Sequence, residues 1–583
     1  MRLFYWPNYT VLLLFLASSQ WIFAGEIDEK PLLSQAVQRL KLDEYLSLDK
    51  YNVKPPTKLE SAIKEYNAER AKVDSKLLLI DLKKALQENE SPKISVKSSS
   101  NLVSIADIRA NALKNNLDIK VAQVDPLIAA TQVREEEAKF DQIIFAYAKY
   151  SQLDSPKISG DTVEFKSDNP ALNTEQLKLS TIEQQKSSSD LEAGIKIPLR
   201  TGGTVSVSSP LENKVNKGKF ASDEYRSALR FSISQPLLRG AGRQINEASI
   251  QIAEYSQQAF QLKTRLQSIR IIAMVDKAYW ALYAAWAELD VKSQQFEYAN
   301  QNLAMVKQRV KEGLTAAVEI NRAEIGVADR MEALIVAETN LKLAQRQLRF
   351  YMNDIAEENS SASPLTPSTQ PNLLKYEFDR NQLLDDALSG RIELLEQELK
   401  LASDLINIDY LENQTLPIFT LDYQYGALSS TNNSFNNIYQ NVFNGEFNNW
   451  SVSLKFELPL SNEASKSRLD RAVQQRNQRL LTKNLQTLTV KKEIYDALDY
   501  VDQNWQRILT ARQQVLIAGL NYDAELKQFN EGLRTMTEVL ETLTRLGEAQ
   551  IKEVRAISDY QIALVDMAYA TGTLMGYSKL TFE

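Results

Sequence analysis

Residues 450–470 read WSVSLKFELPLSNEASKSRLD, and the hydrophobic period changes in the middle of them. Up to Leu458, the apolar Trp450, Val452, Leu454, Phe456 and Leu458 alternate with Ser451, Ser453, Lys455 and Glu457, which is the period-two signature of a strand with one apolar and one polar face. A strand in a membrane barrel shows this alternation, and so does a soluble antiparallel sheet with one wet face. Pro459 then closes the strand, and from Leu460 to Ala518 there is neither glycine nor proline. Strong helix formers fill that interval, so the stretch predicts a strand feeding directly into a very long helix.

The same junction occurs earlier. SALRFSIS sets Leu229, Phe231 and Ile233 against Arg230 and Ser232, Pro236 follows, and Arg243 to Glu312 again lacks glycine and proline. At 1.5 Å per residue such a helix is roughly 100 Å long, more than a globular domain houses. Phe296, Ala299, Leu303, Val306 and Val310 step along it by threes and fours. Beyond Gly313, Ile320, Ala323, Val327, Leu334, Ala337, Leu341, Ala344 and Leu348 carry the return seam of a helical hairpin. In the second half Gly532 makes the turn, and Leu543, Leu546, Ile557, Tyr560, Leu564 and Met567 return, with polar Gln550 and Glu553 interspersed.

The turns themselves repeat. VKEGLTAAVEINR (310–322) and FNEGLRTMTEVLE (529–541) place their glycines at 313 and 532, an offset of 219, and Ala112 of ANALKNNLDIKVA matches Ala387 of DDALSGRIELLEQ at an offset of 275. The chain is therefore an internal duplication, with a first repeat over 101–359, a Ser/Pro-rich linker over 360–375 and a second repeat over 376–583. The offset shrinks because the first half carries an insertion. Within it DLEAGIKIPLRTGGTVSVSS alternates Leu191, Ala193, Ile195 and Ile197, turns at Gly202-Gly203 and resumes with Val205 and Val207, a β-hairpin that either joins the sheet or folds against it. QIIFAYAKY sets Ile143, Phe145 and Tyr147 opposite Ile144, Ala146 and Ala148, and IFTLDYQYG sets Phe419, Leu421, Tyr423 and Tyr425 opposite Thr420, Asp422 and Gln424. That makes four principal strands, too few to close a pore, so a barrel would need several copies, and three would supply twelve strands.

Composition narrows the chemistry. The 583 residues include no Cys and no His, which removes disulfides, thiolate and imidazole catalysis and conventional zinc or copper sites. A net charge of -7 without a basic cluster argues against nucleic acid as a partner. Residues 1–24, from MRLFYWPNYTVLLLFLASSQWIFA, have a basic start, a short apolar run and small residues for cleavage, as in a secretory signal peptide; an uncleaved anchor is the alternative. Residues 25–100 form an extension whose role the sequence does not reveal.

The phrase SISQPLLRGAGRQINEASIQIAE (232–254), the duplicated halves and the two EGL turns together resemble the TolC-like outer-membrane efflux channels, over roughly residues 104–578. The resemblance implies a mainly α fold with β-barrel strands, in which a trimeric outer-membrane β-barrel continues into a long periplasmic α-helical barrel. It implies a passive exit duct, without cofactors, in the outer membrane of a Gram-negative bacterium. Its partners would be outer-membrane lipid, a periplasmic adaptor protein and an inner-membrane pump of the RND, ABC or MFS type, in efflux or type I secretion. By the same resemblance Gly313, Leu314, Thr315, Gly532, Leu533 and Thr535 form adaptor-docking tips, and Pro236 and Pro459 mark the passage from strands to helices. Glu538 and Glu541, six and nine residues beyond the second glycine, would ring the closed periplasmic entrance. Glu319 and Arg534 would tether the two tips, with Phe529 where the family commonly has a tyrosine. From the residues alone Glu538 and Glu541 read as a solvated face paired with Arg534 and Arg545, and the glycines as ordinary hairpin turns. A coiled-coil structural or adhesive surface protein would also satisfy the heptads. An enzyme finds no recognisable cleft.

Overall fold

A computed structural model of the chain describes residues 101–165, 174–217, 222–354, 364–429 and 447–578, with 57–58, 61–62, 65 and 442. The expected signal peptide, most of the 25–100 extension and most of the asparagine-rich loop before Trp450 lie outside the described residues.

After β1 (Thr57–Lys58) and β2 (Asn101–Val103), the first repeat runs through α1 (Ile105–Asn115) and α2 (Leu117–Glu137) into strands β3 (Ile143–Phe165), β4 (Thr174–Pro198), β5 (Thr204–Lys217) and β6 (Ser222–Pro236). One helical turn at Arg243–Asn246 leads into α3 (Ala248–Lys311), and α4 (Val318–Met352) returns. Short strands β7 (Leu365–Pro367) and β8 (Leu374–Lys375) precede the second repeat. That repeat comprises α5 (Arg380–Gly390), α6 (Ile392–Asn413), β9 (Ile418–Leu428), β10 (Phe447–Glu457), α7 (Glu463–Asn530) and α8 (Met536–Ala570), and α9 (Leu574–Ser578) follows. The 64 residues of α3 and 68 of α7 make helices of about 100 Å, as the missing glycines and prolines predict. No helix among the described residues is long and apolar enough to cross a membrane.

The duplication is visible in bonds that recur at the sequence offsets. Asn116, between α1 and α2, donates its side-chain amide to the Tyr351 carbonyl at 2.9 Å. Arg391, which matches Asn116 at the offset of 275, donates to the carbonyl of Ala570, which matches Tyr351 at the offset of 219, at 3.0 Å. Left-handed residues end both return helices, Asn353 at φ 57° and Gly572 at φ 73°, and they too match at the second offset. Each repeat thus pins the end of its return helix to the joint between its two short helices.

The linker is more ordered than its composition suggests. β7 pairs with β2 and β8 with β1, so the segment between the repeats lies as a belt against the helices. Aromatic side chains hold its backbone: Trp286 Nε1 donates to the Leu365 carbonyl at 2.7 Å, Tyr560 Oη to the Leu374 carbonyl at 2.5 Å, and Tyr279 Oη accepts from Thr369 N at 2.8 Å. Two core clusters flank the belt, one around Ile272, Leu383, Ile494 and Trp505, the other around Ile108, Val275, Tyr279 and Leu348. Buried Arg109 clasps Asp276 through two bonds of 2.7 and 2.8 Å beside the second cluster.

The sheet corrects the strand number. Its order is β10-β9-β6-β5-β4-β3, six strands and not four, because the inserted hairpin lies between β6 and β3 and pairs with both. The difference between the offsets of 275 and 219 equals the length of the interval 166–221, which holds β4, β5 and their connections. The registers run without a slip, so one face can be followed across the sheet. Leu454, Leu421 and Gln235 lie in line, as do Val452, Tyr423, Ile233, Val205 and Ile197, and then Trp450, Tyr425, Phe231, Val207, Ile195 and Ile144. The opposite face carries Ser453, Asp422 and Ser234, then Ser451, Gln424, Ser232, Ser206 and Lys196, with Ser206 and Ser232 hydroxyls 2.6 Å apart. Phe145 falls on this polar face and lies over Gly194, where any Cβ would meet the ring.

The strand-to-helix passages fall where Pro236 and Pro459 predict. Pro236 is the last residue of β6, still in register with Thr420, and Pro459 sits between β10 and α7. Gly240 and Gly242 adopt φ of 78° and 98°, which only glycine takes up without strain, and Asn246 donates to both their carbonyls. The Leu199–Gly203 turn of the inserted hairpin docks here, with Gly242 N donating to the Thr201 carbonyl at 3.1 Å. A Cβ at Gly240 or Gly242 would meet nothing within 4 Å, so the left-handed backbone and not this docking explains the glycines of QPLLRGAG.

Candidate functional site

The two hairpin turns lie side by side at the far end of α3 and α7. Each ends its helix with the same cap, Leu314 N donating to the Arg309 carbonyl and Leu533 N to the Gln528 carbonyl, both closed by a left-handed glycine, Gly313 at φ 76° and Gly532 at φ 79°. A Cβ at either glycine would meet nothing within 4 Å, so backbone conformation alone, and not packing, demands glycine. The residues that follow are bare: Leu314 is 63% and Leu533 70% exposed. Thr315 is half-buried against Arg309 Nε at 3.3 Å.

Thr535 and Glu538 form a capping box at the start of α8. Glu538 Oε2 accepts from Thr535 N at 2.8 Å and from its hydroxyl at 3.1 Å, while Oε1 accepts from Arg534 at 3.0 Å. The Thr535 amide, then its hydroxyl and Arg534, hold the Glu538 carboxyl below the usual range. Glu541 is exposed and pairs with Arg545 at 2.6 Å. Both glutamates therefore have the local partners that an ordinary helix face offers, and Glu538 has a structural duty besides.

The tips are joined, but not through the expected pair. Arg534 stays within its own hairpin, donating to Gln528 at 2.9 Å and lying 3.3 Å from Glu525, besides its bond to Glu538. Glu319 turns the other way. Its Oε1 accepts from Arg322 at 2.6 Å, and its Oε2 accepts from the buried backbone N–H of Met536 at 3.2 Å, one of the orphan amides of the first turn of α8. The tether expected between Glu319 and Arg534 is thus replaced by one between Glu319 and the Met536 amide, because the helix terminus supplies a donor already buried beside the carboxylate.

Two arginines that the sequence did not single out complete the junction. Arg309, four residues before Gly313, donates to the Asn530 carbonyl at 2.8 Å and lies over the Phe529 ring at 5.3 Å from its centroid. Phe529, 2% exposed, needs no hydroxyl, since a cation on its face does the linking. Arg330 on α4 crosses to the Leu540 carbonyl at 3.1 Å and the Thr544 hydroxyl at 3.0 Å. Gly326 leaves the space into which Leu540 packs. An arginine one turn ahead of the first EGL glycine was the available signal, but the matching residue 528 is glutamine in the second repeat, so repetition did not flag it.

Further along the hairpins, Arg512 and Glu553 form an enclosed ion pair at 2.8 Å between α7 and α8, both side chains 6% exposed. Burial pushes the Glu553 carboxyl above its usual range despite the arginine.

An apolar-faced sheet joined end-on to two helical hairpins of this length defines an outer-membrane channel of the barrel-and-tunnel kind. The family model for outer membrane efflux proteins matches residues 204–354 and 383–573, more than half of the chain. The chain belongs to the outer membrane efflux protein family. It is 22% identical over 308 residues to the outer membrane protein TolC of Vibrio cholerae, a match covering 52% of this chain and 68% of that one. In fold it is similar to the open state of the Neisseria gonorrhoeae MtrE outer membrane channel, with a TM-score of 0.54 at 15% identity over 85% of this chain and 99% of the other. It is likewise similar to the Campylobacter jejuni CmeC outer membrane channel, with 0.54 at 14% identity over 81% and 86%.

Proposed function

We propose that three copies of this chain form a passive exit duct, which receives substrates from an inner-membrane pump through a periplasmic adaptor seated on the hairpin tips. The observation that carries the reading is the sheet. It has one exposed apolar face and, among the described residues, unpaired outer edges on β3 and β10, and it runs directly into α3 and α7. Unpaired strand edges are costly in hydrocarbon, where backbone groups find no water, so the strands have to close between copies. The helices offer a matching seam: α2 and α7 are the outer members of the layer α2-α3-α6-α7, and each bares an apolar stripe, Leu117, Val121, Val124 and Ile128 on α2 and Leu481, Leu485 and Leu488 on α7.

The tips suit an adaptor because Leu314 and Leu533 bury little within their own chain. Glu538 and Glu541 would place six carboxylates about the axis of three copies and favour cations there. An SDS-resistant species of three chains that dissociates on heating, by mass and gel mobility, tests the assembly. A monomer with full conductance would refute it. Leu314→Arg with Leu533→Arg should abolish export without loss of membrane insertion, and Glu538→Gln with Glu541→Gln should lower cation selectivity in planar bilayers.

A further inference from the structure

The inserted hairpin changes what three copies would build. We propose that the outer-membrane pore is an eighteen-stranded barrel, in which β4 and β5 are lipid-facing wall and β10 of one copy pairs with β3 of the next. This rests on the three-copy assembly proposed above, and on the six strands in each chain.

Three features of the hairpin make it wall. Toward the Gly202-Gly203 turn its apolar residues continue the face of its neighbours, since Ile195 lies opposite Ile144 on β3 and Val207 opposite Phe231 on β6. Leu191, Ile195 and Val207 are at least 40% exposed within one chain, as lipid-facing residues should be. Between Ile195 and the Gly202-Gly203 turn its polar residues keep to the other side, where Lys196 and Ser206 are level with Ser232 and Gln424, while Ser209, Ser189 and Asn213 enter the apolar face farther from that turn. A hairpin folded into the lumen would need polar residues on both faces, and this one has a dry side.

The insertion also preserves closure. Two strands added as a pair leave the chain ascending in β3 and descending in β6, as it would without them, and β3 and β10 still run in opposite directions at the two edges. When they meet between copies, Ile144, Ala146 and Ala148 can extend the apolar face of Val452, Leu454 and Phe456. Barrel diameter grows roughly in proportion to strand number, so eighteen strands make a ring about 1.5-fold wider than twelve, in the range that leaves a porin its aqueous channel. The helical layer gains nothing from the insertion, so the barrel widens relative to it.

The absence of native cysteine makes the test clean. In outer-membrane-embedded protein, cysteines placed singly at Ile195 and Val207 should escape a water-soluble maleimide, whereas those at Lys196 and Ser206 should react. Tyr147→Cys should cross-link to one of Ser451→Cys, Ser453→Cys or Lys455→Cys in a neighbouring copy. A Ser151→Cys and Ser188→Cys pair, whose hydroxyls stand 2.7 Å apart, should form an intrachain disulfide. Replacing residues 154–221 by an Asn-Gly turn joins Leu153 to Ser222, which are level through Lys186 and Asn216, and should narrow the ring seen by electron microscopy by about one third. Equal labelling of both faces, or Tyr147→Cys cross-linking within its own chain to Ala228→Cys on β6, overturns the eighteen-stranded wall while leaving a three-chain duct intact. A native mass other than three chains overturns the assembly itself, and this inference with it.

Discussion

Replacing Glu319 with alanine tests the junction of the two hairpins. Its carboxylate is the partner of the Met536 amide, and Met536 is fully buried, so removing the acceptor strands a donor where water does not reach. An unsatisfied buried N–H costs about 1–3 kcal/mol. That shifts the equilibrium between docked and separated tips by roughly 5- to 150-fold. Hydrogen exchange read by mass spectrometry should therefore quicken at the start of α8 in Glu319→Ala, and single-channel conductance should rise if tip separation opens the entrance. Glu319→Gln keeps an acceptor oxygen and should behave much more like the parent. Arg534→Ala is the control, because all its bonds lie within the second hairpin. It should loosen the capping box and leave the Met536 amide protected. If exchange at Met536 is unchanged in Glu319→Ala, or if Arg534→Ala releases it equally, the inter-hairpin role assigned to Glu319 is wrong.

Gly313→Ala and Gly532→Ala should each destabilise their hairpin by about 1 kcal/mol through left-handed strain, without a clash, and asparagine should be tolerated better; thermal unfolding in detergent checks this. Arg512→Met alone should cost about 3–5 kcal/mol, because it leaves Glu553 buried and unpaired, whereas Arg512→Met with Glu553→Leu should recover most of that loss in the same assay. Acidification should loosen the start of α8: the Glu538 pKa is depressed on folding, so its contribution is present above the ordinary carboxylate value and is lost as pH falls through the folded one. Exchange at Thr535 should rise over that acidic window in the parent and be insensitive to it in Glu538→Gln.

Much of this protein is written locally. A period of two that gives way to a glycine-free run after Pro459, and the same change after Pro236, determined the strands and the long helices, because each rests on the spacing of neighbouring residues. The duplication was equally plain, since the EGL turns and the Ala112 and Ala387 landmarks keep their offsets in the structure as bonds at Tyr351 and Ala570. The place of Gly313 and Gly532 followed from backbone conformation, which a sequence records as glycine.

What the sequence left open depended on residues far apart in the chain. The inserted hairpin alternated legibly, but its place between β6 and β3 is a matter of which edges pair, and alternation is the same for any neighbour. Glu319 bonds the Met536 amide and not Arg534: a side-chain charge is visible as a letter, whereas a buried backbone amide at the start of α8 is not. Arg309 was missed because its partners, the Asn530 carbonyl and the Phe529 ring, belong to the other repeat and one of them is main chain. Periodicity sets which face of each element is apolar; only the packing of the two repeats against each other decides which polar groups meet where those faces end.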